Sequence, residues 1–328
     1  MKVATVGILA VALLGPACAH AACRLTTVEV PVTMAGLRPL VSARIDGSPV
    51  KLLLDSGAFF SSLDATFIAE QKLKPVAATP TGSHLEADVK TVTTGARGAR
   101  RESGIVTARF EFGGATFAGV EFLTVKGLGD ASGLLGQNVL HQADDEYDLK
   151  NSVMRLVRPT DCASASLAYW VKPGMPYSVA PLEPTDRINA HTMSVILVNG
   201  VKMRAYFDTG ADTSFITARA AERAGVKTTD PGVRFVGYGH AVDGNIKTWI
   251  APFADIKIGD EEIKNTQLSI GDSRAEAFDV LIGADFFLAH HVYVANSQGK
   301  LYFSYSGGPV FQAPSPQAAA ADATPNPR

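Results

Sequence analysis

An internal repeat constrains this chain more than any other feature. Around Val41 the sequence reads VSARIDGSPVKLLLDSGAFFSSLDATFIAEQKL, and around Met193 it reads MSVILVNGVKMRAYFDTGADTSFITARAAERAGV. In each copy a β-rich run meets a turn pair, Asp46-Gly47 or Asn199-Gly200. Such pairs tolerate the left-handed backbone of a tight hairpin. A second apolar run, Val50 to Leu54 or Val201 to Phe207, then ends at an acidic residue followed by a hydroxyl residue and glycine. A short helix is expected after each triplet, over 65–70 with Ser62 or Asp64 as N-cap, and over 218–223 with Thr217. Further on, each half carries an apolar-apolar-Gly signature, Leu134-Leu135-Gly136 and Leu281-Ile282-Gly283, with a strand-like stretch after it. The aspartates lie 153 positions apart (208 − 55) and the glycines 147 (283 − 136). Four features recurring in one order at nearly one offset identify a duplicated lobe, and only two long copies exclude a solenoid.

Lobe one is placed at 24–160, a connector at 161–171 running into Lys172-Pro173-Gly174-Met175-Pro176, and lobe two at 172–308. The Pro/Ala-rich tail, 309–328, is expected to be disordered. Strand-like runs dominate and helices are short, so the expected class is all-β, two duplicated lobes in one chain.

The residues before the first lobe read as a secretory signal over 1–21. Lys2 supplies the basic start, Val6 to Leu14 the apolar stretch, and Ala19-His20-Ala21 a small-x-small cleavage site. That stretch is shorter than the ~20 residues needed to span a bilayer, so an exported protein, periplasmic or secreted, is expected without a transmembrane segment. Gly15 stands where a lipobox has Leu, which argues against a lipid anchor at Cys18. Cys23 and Cys162 then remain, one at each end of the first lobe. In an oxidising compartment they form a disulfide; otherwise they are free, partly buried thiols. The balance of 30 basic and 32 acidic residues gives no footprint for nucleic acid. The cluster Arg97, Arg100 and Arg101 reads as a solvated loop tip.

Duplication puts Asp55 and Asp208 at equivalent points, and a pseudo-two-fold axis brings equivalent points together. Two touching carboxyls cannot both ionise easily, so they share a proton. Such a dyad can hold a water, deprotonate it as it attacks a carbonyl, and protonate the departing nitrogen. Ser56 and Thr209 offer hydroxyls to lock the two loops, and Gly57 and Gly210 allow sharp turns with N–H groups near the carboxyls. A lone Asp-Ser-Gly or Asp-Thr-Gly is often only a surface turn. Here each ends an apolar strand.

Asp55-Ser56-Gly57-Ala58 and Asp208-Thr209-Gly210-Ala211, with Leu134-Leu135-Gly136 and Leu281-Ile282-Gly283, make the sequence resemble aspartic peptidases of the pepsin/retropepsin superfamily. The likeness is greatest to bacterial retropepsin-like proteins with two lobes in one chain. The resemblance implies a bilobal β fold, a peptide or protein substrate in a cleft between lobes, no cofactor or metal, action as a monomer, and endopeptidase chemistry by Asp55 and Asp208. Ala58 and Ala211 depart from the Ser or Thr usual in pepsin-like enzymes, which predicts activity at higher pH than strongly acidic relatives. The run through Asp212-Thr213 resembles the retroviral pattern and implies a substrate role for Asp212, with an ion pair inside its own lobe as the other reading. Lobe one has Phe59 at the matching place. Flap candidates are 94–104 and 236–244, where Tyr238 would cover bound peptide or else be an ordinary exposed or packed tyrosine; pepsin-like enzymes carry their flap Tyr in the first lobe, where none occurs here between 60 and 146.

Other features fit other chemistries poorly. His290-His291 are adjacent and point apart in a strand. No HExxH or CxxC pattern appears, and Gly127-Leu128-Gly129 lacks the third glycine of a dinucleotide loop. Asp144-Asp145-Glu146 reads as a solvated bend, and Trp170 and Trp249 as core or lobe-interface residues. The functional alternatives are a non-catalytic peptide-binding protein that keeps this fold and a peptidase restricted to one partner protein.

Overall fold

The computed structural model describes residues 22–75, 104–185, 190–241 and 244–312. The expected signal segment at 1–21, the Arg97 cluster, nearly all of the first flap candidate and most of the tail lie outside them.

The first half runs β1 (Arg24–Ala35), β2 (Arg38–Ile45), β3 (Ser48–Leu54), β4 (Ser62–Asp64), α1 (Ala65–Glu70), β5 (Ile105–Phe112), β6 (Ala115–Val125), β7 (Gly133–Leu135), α2 (Gln137–Leu140), β8 (Asp144–Asp148) and β9 (Val153–Thr160). After β10 (Ser178–Pro181) the second half repeats the plan. It runs β11 (Met193–Val198), β12 (Val201–Phe207), β13 (Phe215–Thr217), α3 (Ala218–Arg223), β14 (Arg234–Ala241), β15 (Gly244–Ile258), β16 (Glu261–Gly271), β17 (Val280–Ile282), α4 (Ala284–Ala289), β18 (His290–Ala295) and β19 (Lys300–Tyr305).

Local sequence explains the repeated parts. Asp46 and Gly47 have φ of 47° and 85°, and Asn199 and Gly200 47° and 76°. Two successive positive φ values make the hairpin turn whose twist suits paired strands, and Asp/Asn-Gly is the pair that adopts it at least cost. Asp64, not Ser62, caps α1, accepting from the Thr66 N–H at 2.8 Å, and Thr217 caps α3 through Ala220. β3 and β12 are central strands, so their ends are apolar on both faces: Leu52, Leu54 and Phe207 are fully buried.

In each half the strand before the acidic triplet pairs in parallel with the strand of the glycine signature. Leu54 sits opposite Leu135, and Phe207 opposite Ile282. This register sets each aspartate beside its own Leu-Gly or Ile-Gly step.

The halves are joined by a sheet that neither could complete alone. A 12-stranded sheet runs β10-β19-β18-β8-β9-β1-β2-β3-β7-β4-β6-β5, and a 7-stranded one β11-β12-β17-β13-β16-β15-β14. In the former, β18 of the second half pairs with β8 of the first, Val292 opposite Tyr147 and Val294 opposite Asp145. Asp144-Asp145-Glu146 is therefore not a solvated bend but the buried middle of this sheet. Most of its carboxylates are neutralised from across the sheet. Glu146 receives Arg155 at 2.7 Å, lies 2.8 Å from His291 Nε2, and accepts from Tyr169; Asp144 accepts from Tyr293 and from the Ser297 hydroxyl. Burial raises Asp145 well above the ordinary carboxyl range. Trp170 stacks on His291 with centroids 4.2 Å apart, and Cys162, Leu167 and Ala168 of the connector pack against Tyr293 and Tyr302.

Cys23 and Cys162 are disulfide-bonded, joining the start of β1 to the end of β9 across a separation of 139 residues. Closing so long a loop restricts the unfolded chain and is worth about 2–4 kcal/mol. Cys162→Ser, or reduction, should lower the midpoint of thermal unfolding; an unchanged midpoint would mean that β1–β9 pairing alone holds this edge. Among the described residues no helix is long and apolar enough to cross a membrane, and no group of three His, Cys, Asp or Glu is placed to hold a metal ion.

Candidate active site

β3 and β12 each run directly into a loop that begins with an aspartate. The Asp55 N–H donates to the Leu135 carbonyl at 3.0 Å, and the Asp208 N–H to the Ile282 carbonyl at 2.8 Å. The far side of each loop is tied the same way, Gln137 N–H to the Ala58 carbonyl and Ala284 N–H to the Ala211 carbonyl, both 2.8 Å. Below them Ser61 and Ser214 accept from the Gly136 and Gly283 N–H groups and donate to Asn138 and Asp285. A Cβ on Gly136 would stand 2.7 Å from the Ala58 carbonyl oxygen, and one on Gly283 2.8 Å from that of Ala211. Close approach of loop and strand is thus what demands glycine in both signatures.

The loops lock to each other at the seam between the halves. Ser56 N–H donates to Thr209 Oγ1 at 3.0 Å, and Thr209 N–H to Ser56 Oγ at 2.9 Å. Each hydroxyl then donates across the seam to a strand end, Thr209 to the Leu54 carbonyl at 2.6 Å and Ser56 to the Phe207 carbonyl at 3.1 Å. All four bonds are buried, and every donor and acceptor in the exchange is used.

This lock presses the two carboxyls together. The two carboxyls are neighbours: a Cβ on Gly57 would stand 2.2 Å from Asp208 Cγ and one on Gly210 2.3 Å from Asp55 Cγ, and each carboxyl acts on the ionisation of the other. Asp55 Oδ1 also accepts from Gly57 N–H at 3.0 Å and Ala58 N–H at 2.8 Å, and Asp208 Oδ1 from Gly210 N–H at 2.8 Å. Burial raises Asp55 well above the ordinary carboxyl range, and the neighbouring Asp208 adds to it. Burial raises Asp208 too, while its N–H donors and Asp55 pull it down. One proton therefore stays shared between them to a pH above that of a free carboxyl.

Asp212 is exposed beside this loop; surrounding protein raises its carboxyl, and the charge that pulls it down is Arg38 on β2. Its electrostatic partner thus comes from the first half and not from its own lobe. Tyr238 lies on the β14–β15 hairpin opposite Lys247, exposed, with its ring edge-on to Phe235. Three further residues of the site, Gln137, Tyr206 and His191, escape a reading by motif. Gln137 donates to the Ser56 carbonyl at 2.7 Å, where the second half has Ala284. Tyr206 stands where the first half has Leu53, and a phenol at an apolar repeat position is a readable signal. His191 carries none.

A profile of the family described as aspartyl protease matches residues 41–139 and 195–286. No curated protein sequence matches the chain. Among solved structures, the crystal structure of a retropepsin-like aspartic protease from Rickettsia conorii is similar over 42% of this chain and 96% of its own, at 14% identity and a TM-score of 0.28.

Proposed function

We infer that this chain, which belongs to the aspartyl protease family, is an endopeptidase that cuts peptide bonds with a water held by Asp55 and Asp208. The observation that carries this reading is the juxtaposition of two desolvated carboxyls supplied by the same loop of each half, each set against the glycine of the opposite loop. With one proton between them, the ionised carboxyl takes a proton from water as it attacks the peptide carbonyl. The protonated one donates to the carbonyl oxygen. Collapse of the tetrahedral intermediate then returns a proton to the leaving nitrogen. Both aspartates come from one chain, so a monomer suffices. We assign Asp212 and Tyr238 to substrate contact and the protein to an exported compartment, where disulfides such as Cys23–Cys162 persist.

The test is incubation of protein lacking residues 1–21 with a diverse peptide library, with cleavage sites mapped by mass spectrometry. Internal cleavage is expected. Peptide binding without cleavage would replace the reading with a binding module.

The working pH follows from the raised carboxyls. A group whose protonated form is favoured keeps its proton until pH climbs through the raised value, so the shared proton survives above the ~4 of an ordinary carboxyl. Neither Ala58 nor Ala211 supplies a hydroxyl to oppose this. Cleavage should persist above the pH at which an ordinary carboxyl loses its proton and fall on the alkaline side, whereas a profile confined below about pH 3 would contradict the assignment.

A further inference from the structure

The two aspartate loops share a backbone plan but are not held alike. Two residues before each aspartate stand Leu53 and Tyr206. Tyr206 is buried, and its hydroxyl makes a hydrogen bond to the Gly57 carbonyl of the opposite loop. A carbonyl only accepts, so the phenol proton is committed there. The same phenol oxygen lies 2.6 Å from Nδ1 of His191. It must accept at that contact, which assigns the imidazole as the Nδ1–H tautomer. Burial lowers His191 to about 4, consistent with a neutral ring at neutral pH. Phe59, from the first half, packs on the imidazole with ring centroids 3.6 Å apart. This accounts for the asymmetry of the repeat: where the second half places Asp212, the first places the ring that seats His191.

The Gly57 carbonyl and the Ala58 N–H belong to one planar peptide unit, and that N–H donates to Asp55 Oδ1 at 2.8 Å. We propose that His191 and Tyr206 are positioning residues that clamp the Asp55 loop, through a relay from His191 Nδ1–H to the Tyr206 hydroxyl, to the Gly57–Ala58 peptide, to the Asp55 carboxylate. Each link polarises the next, so the relay both fixes the loop and strengthens the donor on Asp55. The other ionisable groups acting on Asp55 or acted on by it are Asp208 and the phenol of Tyr147. The catalytic part of the proposal rests on the peptidase reading; the clamp itself does not.

Two measurements keep these apart. In ¹⁵N-histidine NMR spectra, wild type should show His191 as the Nδ1–H tautomer, and Tyr206→Phe should speed exchange of the Ala58 amide. An Nε2–H tautomer, or unchanged exchange, overturns the clamp whether or not the protein cuts peptides. An inert wild type with both signatures present counts against the peptidase reading alone. On a cleaved peptide, Tyr206→Phe should lower kcat about three- to tenfold, the worth of one hydrogen bond, with KM within about twofold. Its pH profile should shift upward, because the ionised Asp55 has lost support; a merely structural change would leave the profile in place. His191→Leu should match it, His191→Asn should recover most of the loss by offering an amide N–H, and the double variant should be no worse than either. Additive losses, or a Tyr206→Phe profile that does not move, overturn the relay. Thermal unfolding of each variant checks that the fold is retained.

Discussion

Asp55→Asn and Asp208→Asn should each lower peptide cleavage by about 10³-fold, the scale of losing a positioned acid or base. The two losses should be alike, because the carboxyls act as one proton-sharing unit and neither retains the chemistry alone. The fold should survive. The four bonds exchanged by Ser56, Thr209 and the strand ends involve no carboxylate, and Asn offers an oxygen where Asp55 accepts from Gly57 and Ala58. Each substitution also removes a carboxyl that burial disfavours in its charged form, and Asp208→Asn relieves the neighbouring charge that raises Asp55. The midpoint of thermal unfolding near neutral pH is therefore expected to hold steady or rise while activity collapses. Cleavage within about tenfold of wild type in either variant would refute a shared site.

Gly57→Ala and Gly210→Ala should be as damaging to activity for a different reason, and they should destabilise as well. Neither glycine has a positive φ, so backbone conformation is no obstacle. Space is. A Cβ at Gly57 would lie 2.2 Å from Asp208 Cγ, with both carboxyl oxygens within 2.4 Å; at Gly210 it would lie 2.3 Å from Asp55 Cγ. Neither carboxyl can swing away without losing the N–H donors of its own loop that hold it. Contact at ordinary separation, ~3.5 Å, requires the loops to part by roughly 1 Å. A displacement of that size costs about 10² in rate on its own, and overpacking costs about 1–3 kcal/mol. Chemical denaturation should show that loss of stability, which the Asp→Asn variants lack. A Gly57→Ala protein as stable and active as wild type would mean that the loops are not in contact as described.

Much of this architecture is legible in the amino-acid sequence, because the repeat states it twice. The hairpin turns at Asp46-Gly47 and Asn199-Gly200, helices over 65–70 and 218–223, and the equivalence of Asp55 with Asp208 all follow from local chemistry. What is not legible depends on partners remote in sequence. Asp144-Asp145-Glu146 looks solvated because three successive acids repel one another and no lysine or arginine lies within three positions of them. Glu146 meets His291, 145 positions later (291 − 146), only because β18 lies beside β8. Asp212 has no evident counter-charge among its sequence neighbours and finds one in Arg38, on the other half. The relay through Tyr206 is invisible for the same reason: its acceptor, Gly57, is reached only once the halves meet.

The shared sheet also sets a clock. Hairpins such as β2–β3 and β11–β12 close over a few residues and can form early, whereas Val294 must find Asp145 across 149 positions (294 − 145). Pairings so remote come late in folding, after the entropy of closing long loops has been met. A growing chain that has passed Asp208 already contains both aspartates, yet β18 and β19 have still to be made. Until those last strands zip onto β8, the sheet that joins the halves is unfinished. On the peptidase reading, synthesis of both aspartates does not complete the enzyme, and the joined halves on which the site depends are finished only as the final strands are laid down.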